Sequence, residues 1–275
     1  MAVTNFIPEL WAATIVRSLE NNLVATKICS TDYTGEIKKY GDTVHFNSLA
    51  DPEVNTYTGS INYQVLADSN IPLIVDQKDY CAFKVADIDA AQANVALQTS
   101  QAARAAYMLK DKCDKYILGL HAGAGNTVEE SVTSANVLSA IGEMSVKLDE
   151  ANVPNEQKWI VIPPWVKLKL MLAGVKFGIK NGINGSTGVS WTDALGFDLY
   201  VSNNVASNTE KTTFYCLGGS KNAIAFADQL TNMRAMELEN SFDIGVSGLH
   251  VFGAKVIKPY ELVRGEFTVG EESTI

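Results

Sequence analysis

From Asp87 to Leu118 the chain contains no glycine and no proline, and alanine, glutamine, leucine and lysine dominate it. These residues lose little freedom in a helix, so the stretch predicts one long uninterrupted helix. Asp87 and Asp89 stand at its start, Lys110, Lys112 and Lys115 at its end, and Gly119 follows as a stop. Carboxylates at the positive end and ammonium groups at the negative end complement the helix dipole, each by ~0.3–1 kcal/mol. Lys110 with Asp114 and Asp111 with Lys115 have the spacing of helical ion pairs. Some thirty residues at ~1.5 Å each make a rod of about 45 Å, longer than a small domain is wide. A rod of that length is a spine against which sheets and neighbours are arranged.

Further elements fall on either side. Pro8 to Lys27 predicts an amphipathic helix, with Leu10, Trp11, Ile15, Leu19 and Leu23 on one face and Arg17, Glu20 and Asn21 opposite. Gly41 to Phe46 reads as a turn and a strand. Asn47 to Asn70 is rich in Asn, Asp, Ser, Thr and Gly, with only Tyr57, Ile61, Tyr63 and Val65 keeping a strand-like alternation before Ile71, Leu73 and Val75 resume it. Such a stretch between two firm strands predicts a long projecting hairpin, which a compact domain keeps only for a use. Val137 to Asn152 predicts a second helix, with Val137, Ile141, Met144 and Leu148 on one face. Trp159 to Ile162 reads as a buried strand ended by Pro163-Pro164, and Trp165 to Ala173 as a further helix. Lys180 to Gly188 reads as an exposed loop. Leu199 to Val201, Phe214 to Cys216, Ala223 to Phe226, Leu249 to Phe252 and Lys255 to Ile257 supply short strands or, at Ala223, a helix start; Pro259 closes the pattern. Long helices segregated from strands indicate an α+β fold.

Composition and motifs exclude several functions. Over 275 residues the net charge is −9, which excludes a broadly basic protein held to nucleic acid by many phosphate contacts. Cys29, Cys81, Cys113 and Cys216 form no C-x-x-C pair, so reduced buried thiols are expected, as in a protein made in a reducing cytoplasm. No signal peptide and no membrane-spanning run are visible. His45, His121 and His250 each lack a metal-ligand partner at the usual spacing. Gly245-Val246-Ser247-Gly248 lacks the nucleophile-elbow spacing. Gly123-Ala124-Gly125-Asn126 and Gly218-Gly219-Ser220-Lys221 lack that of a phosphate loop. Asp87 with Asp89, and Glu129 with Glu130, read as caps and solvated surface. No catalytic, metal or cofactor site is expected. A cytosolic α+β enzyme with an unrecognised site stands as the alternative from a different class.

Seven local strings, in order, give the chain a resemblance. They are Phe6-Ile7-Pro8-Glu9-Leu10-Trp11; Lys39-Tyr40-Gly41-Asp42-Thr43-Val44; Asp76-Gln77-Lys78 with Tyr80 and Phe83; Trp159 to Pro164; Leu195 to Asn204; Ala223 to Gln229; and Phe252 to Pro259. With these the chain resembles the major capsid proteins of tailed bacteriophages, of the Hong Kong 97 fold. The resemblance implies an N-terminal arm at 1–46, an extended E-loop hairpin at 47–78, a peripheral domain from 79–150 and 236–275, and an axial domain at 151–235. It implies a subunit that self-assembles, as pentamers and hexamers, into an icosahedral shell around double-stranded DNA. Arm and E-loop would lie across neighbours, so Leu10, Trp11, Ile15, Arg17 and Leu19 of the arm and Tyr57, Ile61, Tyr63 and Val65 of the hairpin are the expected intersubunit contacts. A portal, a separate scaffolding protein and a cement protein are the implied partners, with weak non-specific contact to packaged DNA; Arg17, Lys27, Lys38 and Lys39 could make local contacts of that kind or intersubunit salt bridges. The implied location is the virion capsid, after synthesis in the bacterial cytoplasm. An encapsulin-type nanocompartment shell shares the fold and is the near alternative.

One departure stands out. Some members of the fold weld subunits through a lysine on the E-loop. No lysine occurs here between Lys39 and Lys78, so a non-covalent shell is expected.

Overall fold

The computed structural model of the chain describes residues 24–31, 43–49, 56, 68–85, 95–154, 158–174, 197–237 and 244–270. A single helical turn, α1 (Ala25–Ile28), follows a bend at Val24; the helix expected over Pro8 to Lys27 lies almost wholly outside the described residues. Strands β1 (Thr43–Leu49) and β2 (Asp68–Ile74) pair antiparallel, with Thr43 opposite Ile74 and Leu49 opposite Asp68. These are the two base strands that the hairpin expectation requires. The segment between them, apart from residue 56, lies outside the described residues.

Strand β3 (Gln77–Val85) leads towards α2 (Val95–Leu118), the long helix. At ~1.5 Å per residue its described length is about 36 Å. Asp87 and Asp89 lie outside the described residues. Gly119 does not stop the helix outright: the chain tightens into a 3-10 turn over Gly119–Gly123. Asp111 and Lys115 make the expected pair at 2.6 Å, and the Lys110 ammonium lies over the Tyr107 ring at 5.8 Å.

Three sheets organise the rest. β3, β9 (Ile244–Val256) and β8 (Ile224–Glu237) form a three-stranded antiparallel sheet, in the order β3-β9-β8. The end of the N-terminal segment is stitched to it: Ser30 N–H donates to the Ile224 carbonyl at 2.9 Å, and Phe226 N–H donates to the Ser30 carbonyl at 3.0 Å. The second sheet has five strands in the order β4-β10-β7-β5-β6, comprising β4 (Asn126–Val132), β5 (Lys158–Ile162), β6 (Asp198–Val201), β7 (Thr213–Ser220) and β10 (Leu262–Val269). The third is the β1–β2 pair. The five-stranded sheet draws strands from both sides of the domain boundaries expected at 150/151 and 235/236.

Helices α3 (Val137–Glu150) and α4 (Pro164–Leu172) cover one face of that sheet. The stripe Val137, Ile141, Met144 and Leu148 is buried as its spacing dictates, packing with Ile160, Ile162, Val263 and Phe267. Every residue of β5 is buried, as a continuous apolar run between helices and core requires. Pro163 is extended, at φ −74° and ψ 159°, and Pro164 occupies the first turn of α4, where a missing N–H costs nothing. On the opposite face Trp159, Val161 and Leu217 join Ile28, Cys113, Ile117, Phe226 and Phe252 in the core between the five-stranded sheet, α2 and the three-stranded sheet.

The structure corrects three local expectations. Asn126–Val132 is a strand, and Glu129 and Glu130 lie within it rather than capping anything. Pro259 does not end the strand pattern; a 3-10 turn at Pro259–Glu261 redirects the chain into β10, which sits between β4 and β7. Gly218-Gly219-Ser220 is the end of β7 and not a loop. A Cβ on Gly219 would stand 2.6 Å from the Glu261 carbonyl oxygen, so the glycine serves close backbone approach.

Candidate functional site

The titratable groups of the described residues are mostly structural. Cys29, Cys113 and Cys216 are buried and unoxidised. Burial pushes all three thiols up, and nearby Asp114 adds to the effect at Cys29 and Cys113. A protonated buried thiol is a poor nucleophile. Cys81 is half-buried, and its thiol is also raised, by burial first.

The histidines follow the same logic. His121 stacks on Tyr215 with ring centroids 4.3 Å apart and planes 6° from parallel. The Arg264 guanidinium lies 5.9 Å from the same ring and pairs with Glu266 at 2.5 Å. Burial, then the positive charge of Arg264, lowers the His121 pKa. His250 is fully buried on β9, directly across from Asp79 on β3, with Nε2 3.4 Å from Asp228 Oδ2 on β8 and its ring against Phe252. Asp79 in turn pairs with Lys112 of α2, and the Tyr116 hydroxyl donates to Asp76 at 3.2 Å. These contacts clamp the long helix onto the three-stranded sheet. Lys158, buried at the start of β5, pairs with Asp149 near the end of α3. No group of three potential metal ligands occurs among the described residues.

The expected contact residues Leu10, Trp11, Ile15, Arg17, Leu19, Tyr57, Ile61, Tyr63 and Val65 all lie outside the described residues, as does the Lys180–Gly188 segment. Lys27 does make a described contact, but within its own chain: its ammonium lies 5.9 Å from the centre of the Tyr200 ring. What the sequence reading missed is an outward apolar face on α4, where Leu168, Met171 and Leu172 are exposed at i, i+3, i+4 spacing. Their helical spacing was visible, but Val166 and Leu170 are equally apolar, and no local pattern says which side of the helix meets the sheet.

The described residues therefore offer two packed sheets, a paired hairpin base and exposed apolar surface. The profile of the family described as phage capsid protein matches residues 74–265, well over half of the chain. The chain belongs to the phage capsid protein family. Among solved structures, that of Mycobacterium phage Che8 is similar at a TM-score of 0.67 and 23% identity, covering 96% of this chain and 98% of the other. That of Gordonia phage Cozz is similar at a TM-score of 0.65 and 15% identity, covering 88% of each chain. A virus-like particle from Pyrococcus furiosus is similar at a TM-score of 0.61 and 13% identity, covering 94% of this chain and 98% of the other. No curated protein matches the chain significantly in sequence. The fold is the Hong Kong 97-type α+β capsid fold, and the chain is a major capsid protein of the tailed-phage kind, a component of the virion shell. No described helix is long and apolar enough to cross a membrane.

Proposed function

We propose that copies of this capsid protein form pentamers and hexamers that close into a non-covalent icosahedral shell around double-stranded DNA, and that the subunit acts without catalysis or cofactor. The family match over 74–265 carries this reading. The physical support is the economy of many weak contacts. Apolar burial is worth ~25 cal/mol per Å², so a patch of a few hundred Å² contributes only a few kcal/mol before association entropy is subtracted. Each subunit meets several neighbours, so the closed shell is tight while single contacts stay reversible enough to correct errors. A net charge of −9 suits a container whose wall must not grip its DNA.

In this reading the arm, with Leu10, Trp11, Ile15, Arg17 and Leu19, and the E-loop, with Tyr57, Ile61, Tyr63 and Val65, lie across neighbouring copies. Assembly in the host cytoplasm draws on a separate scaffolding protein and a portal, with a cement protein as a further partner. The hydrogen bonding of the strands supports a division by sheets. The axial unit is the five-stranded sheet with α3 and α4, and the peripheral unit is α2 with the three-stranded sheet. An encapsulin-type shell shares this fold, and the phage capsid family match favours the virion reading over it. Sedimentation of the purified chain across a concentration series tests the proposal. Large closed species appearing above a threshold concentration are expected. A monomer or dimer at all concentrations, in the presence of scaffolding protein as well, would overturn it.

A further inference from the structure

The chain turns a sharp corner between β2, which ends at Ile74, and β3, which begins at Gln77. Only Val75 and Asp76 join them, yet β2 pairs with β1 while β3 pairs with β9. Among the described residues no ladder links the two-stranded ribbon to the three-stranded sheet. The direction of the ribbon is therefore left to side chains and to close packing at the corner.

The packing fixes one point. Leu73 and Val75 are buried with Ala225, Ala227 and Val251, a small pad on one face of the three-stranded sheet. Gly253 and Lys255 share that face with Val251 by strand alternation. The backbone of Ile74 and Val75 crosses at Gly253 so closely that a Cβ there would stand 2.6 Å from the Ile74 carbonyl oxygen. Alanine and glycine let the chain come near but give few side-chain contacts to hold its angle. From the α2 side the Tyr116 hydroxyl donates to Asp76 at 3.2 Å, and its ring meets Phe252 edge-on. All of these act at the corner itself.

One contact acts away from it. Lys255 donates from Nζ to the Pro72 carbonyl at 2.8 Å. A proline has no N–H for a ladder, so in a strand it takes a position whose polar groups face away from the partner. Pro72 stands opposite His45 in the ribbon, and its carbonyl is taken up from outside by Lys255. It lies three residues from Val75, about 10 Å at ~3.3 Å per residue, so a bond there resists rotation of the ribbon, whereas the Tyr116 bond at the corner has almost no lever arm. The same arithmetic puts the Asp68 end of β2 about 23 Å from Val75, where a swing of about 10° displaces it by about 4 Å. Close-packed contacts do not absorb a shift of that size.

We infer that the Val75–Gly253 crossing is a pivot and that Lys255 is the positioning residue that latches the hairpin at one angle, the angle at which neighbouring copies receive it. A lysine suits this task, since its ammonium rides on a flexible four-carbon stem and follows the carbonyl through small adjustments, while a larger swing breaks the bond. The inference rests on the shell reading and deepens it, by naming what sets the direction of the hairpin.

Distances between two spin labels on the unassembled chain test the latch. One label goes on Ser69→Cys in β2, opposite Ser48, and the other on Glu150→Cys, exposed at the end of α3. Cys81→Ser clears the background, because Cys29, Cys113 and Cys216 are buried. The chain with Lys255 intact is expected to give one narrow distance. Lys255→Met keeps the unbranched stem and removes the donor, and is expected to raise the population at other distances on the order of tenfold, the equivalent of one charged hydrogen bond. Lys255→Arg should restore the narrow distance, and Tyr116→Phe, at the pivot, should leave it narrow. Wild-type distances in Lys255→Met, or equal broadening in Tyr116→Phe, would overturn the latch. Assembled with its scaffolding protein, the wild type is expected to form particles of one diameter and Lys255→Met particles of several. Uniform particles from a Lys255→Met chain with broadened distances would overturn the part the latch plays in assembly. Failure of the wild type to form particles would instead reject the shell reading, and the label distances would still judge the latch.

Discussion

Gly253 and Gly142 are both glycines inside regular elements, and the structure predicts opposite outcomes for adding one methyl group to each. At Gly253, on β9, a Cβ would stand 2.6 Å from the Ile74 carbonyl oxygen and 3.0 Å from Val75 Cα. Both obstacles are backbone, at the point where the hairpin base crosses the three-stranded sheet, and Val75 is itself buried in the core beneath that sheet. Lys255 anchors the same crossing by donating to the Pro72 carbonyl at 2.8 Å, so the segment has little freedom to retreat. Overpacking of this kind costs about 1–3 kcal/mol. At ~2–4 °C per kcal/mol for a chain of this size, Gly253→Ala lowers the melting temperature by roughly 2–12 °C. Gly142 lies in the middle of α3 with nothing within 4 Å of the added Cβ. Gly142→Ala removes only the entropy penalty of glycine in a helix and stabilises by about 0.5–1 kcal/mol. Thermal unfolding of the unassembled chain, followed by circular dichroism, reads both. A Gly253→Ala chain melting with or above the wild type would refute the close-packed crossing, and a Gly142→Ala chain melting lower would refute the open surface of α3.

Three further outcomes are expected. Lys158 is 0% exposed while its partner Asp149 is 53% exposed. Asp149→Ala, by stripping a buried cation of this carboxylate, should cost about 1–3 kcal/mol in denaturant unfolding, less than a fully buried pair because water already screens Asp149; Lys158→Met should cost less, and the reverse order would refute the argument. His121 has a lowered pKa in the fold, so unfolding takes up a proton in acid; its contribution to stability is complete above the ordinary 6.5 and falls away as the pH drops below that value. His121→Gln should flatten the stability–pH profile there, and an unchanged slope would assign it to other groups. Boiling assembled shells in SDS should release 29.8 kDa chains, because the hairpin has no lysine to cross-link; a covalent ladder would contradict this.

Parts of this architecture were legible in the residues because their burial is one-sided and periodic. Val137, Ile141, Met144 and Leu148 sit one above another on a helix, and Trp159 to Ile162 can be continuous only if both sides are covered. β4 was missed because an edge strand tolerates Glu129 and Glu130 side by side, which hides the alternation. β10 was missed because Arg264 and Glu266 interrupt the apolar run, and because Pro259 turns the chain without ending its strands. The ion pairs Asp79–Lys112 and Lys158–Asp149 depend on strand register and helix placement, which no local spacing encodes. The outward face of α4 was hidden for a different reason. Leu168, Val166 and Leu170 are chemically alike, and only the position of the sheet decides which of them meets water.

The central claim is that this polypeptide completes itself only among copies of itself. Negative-stain electron microscopy of the purified protein, co-produced with its scaffolding protein, tests it most directly. The account predicts closed particles tens of nanometres across with angular, icosahedral outlines, on the order of hundreds of copies each. A field of single, separate molecules under the same conditions would contradict it.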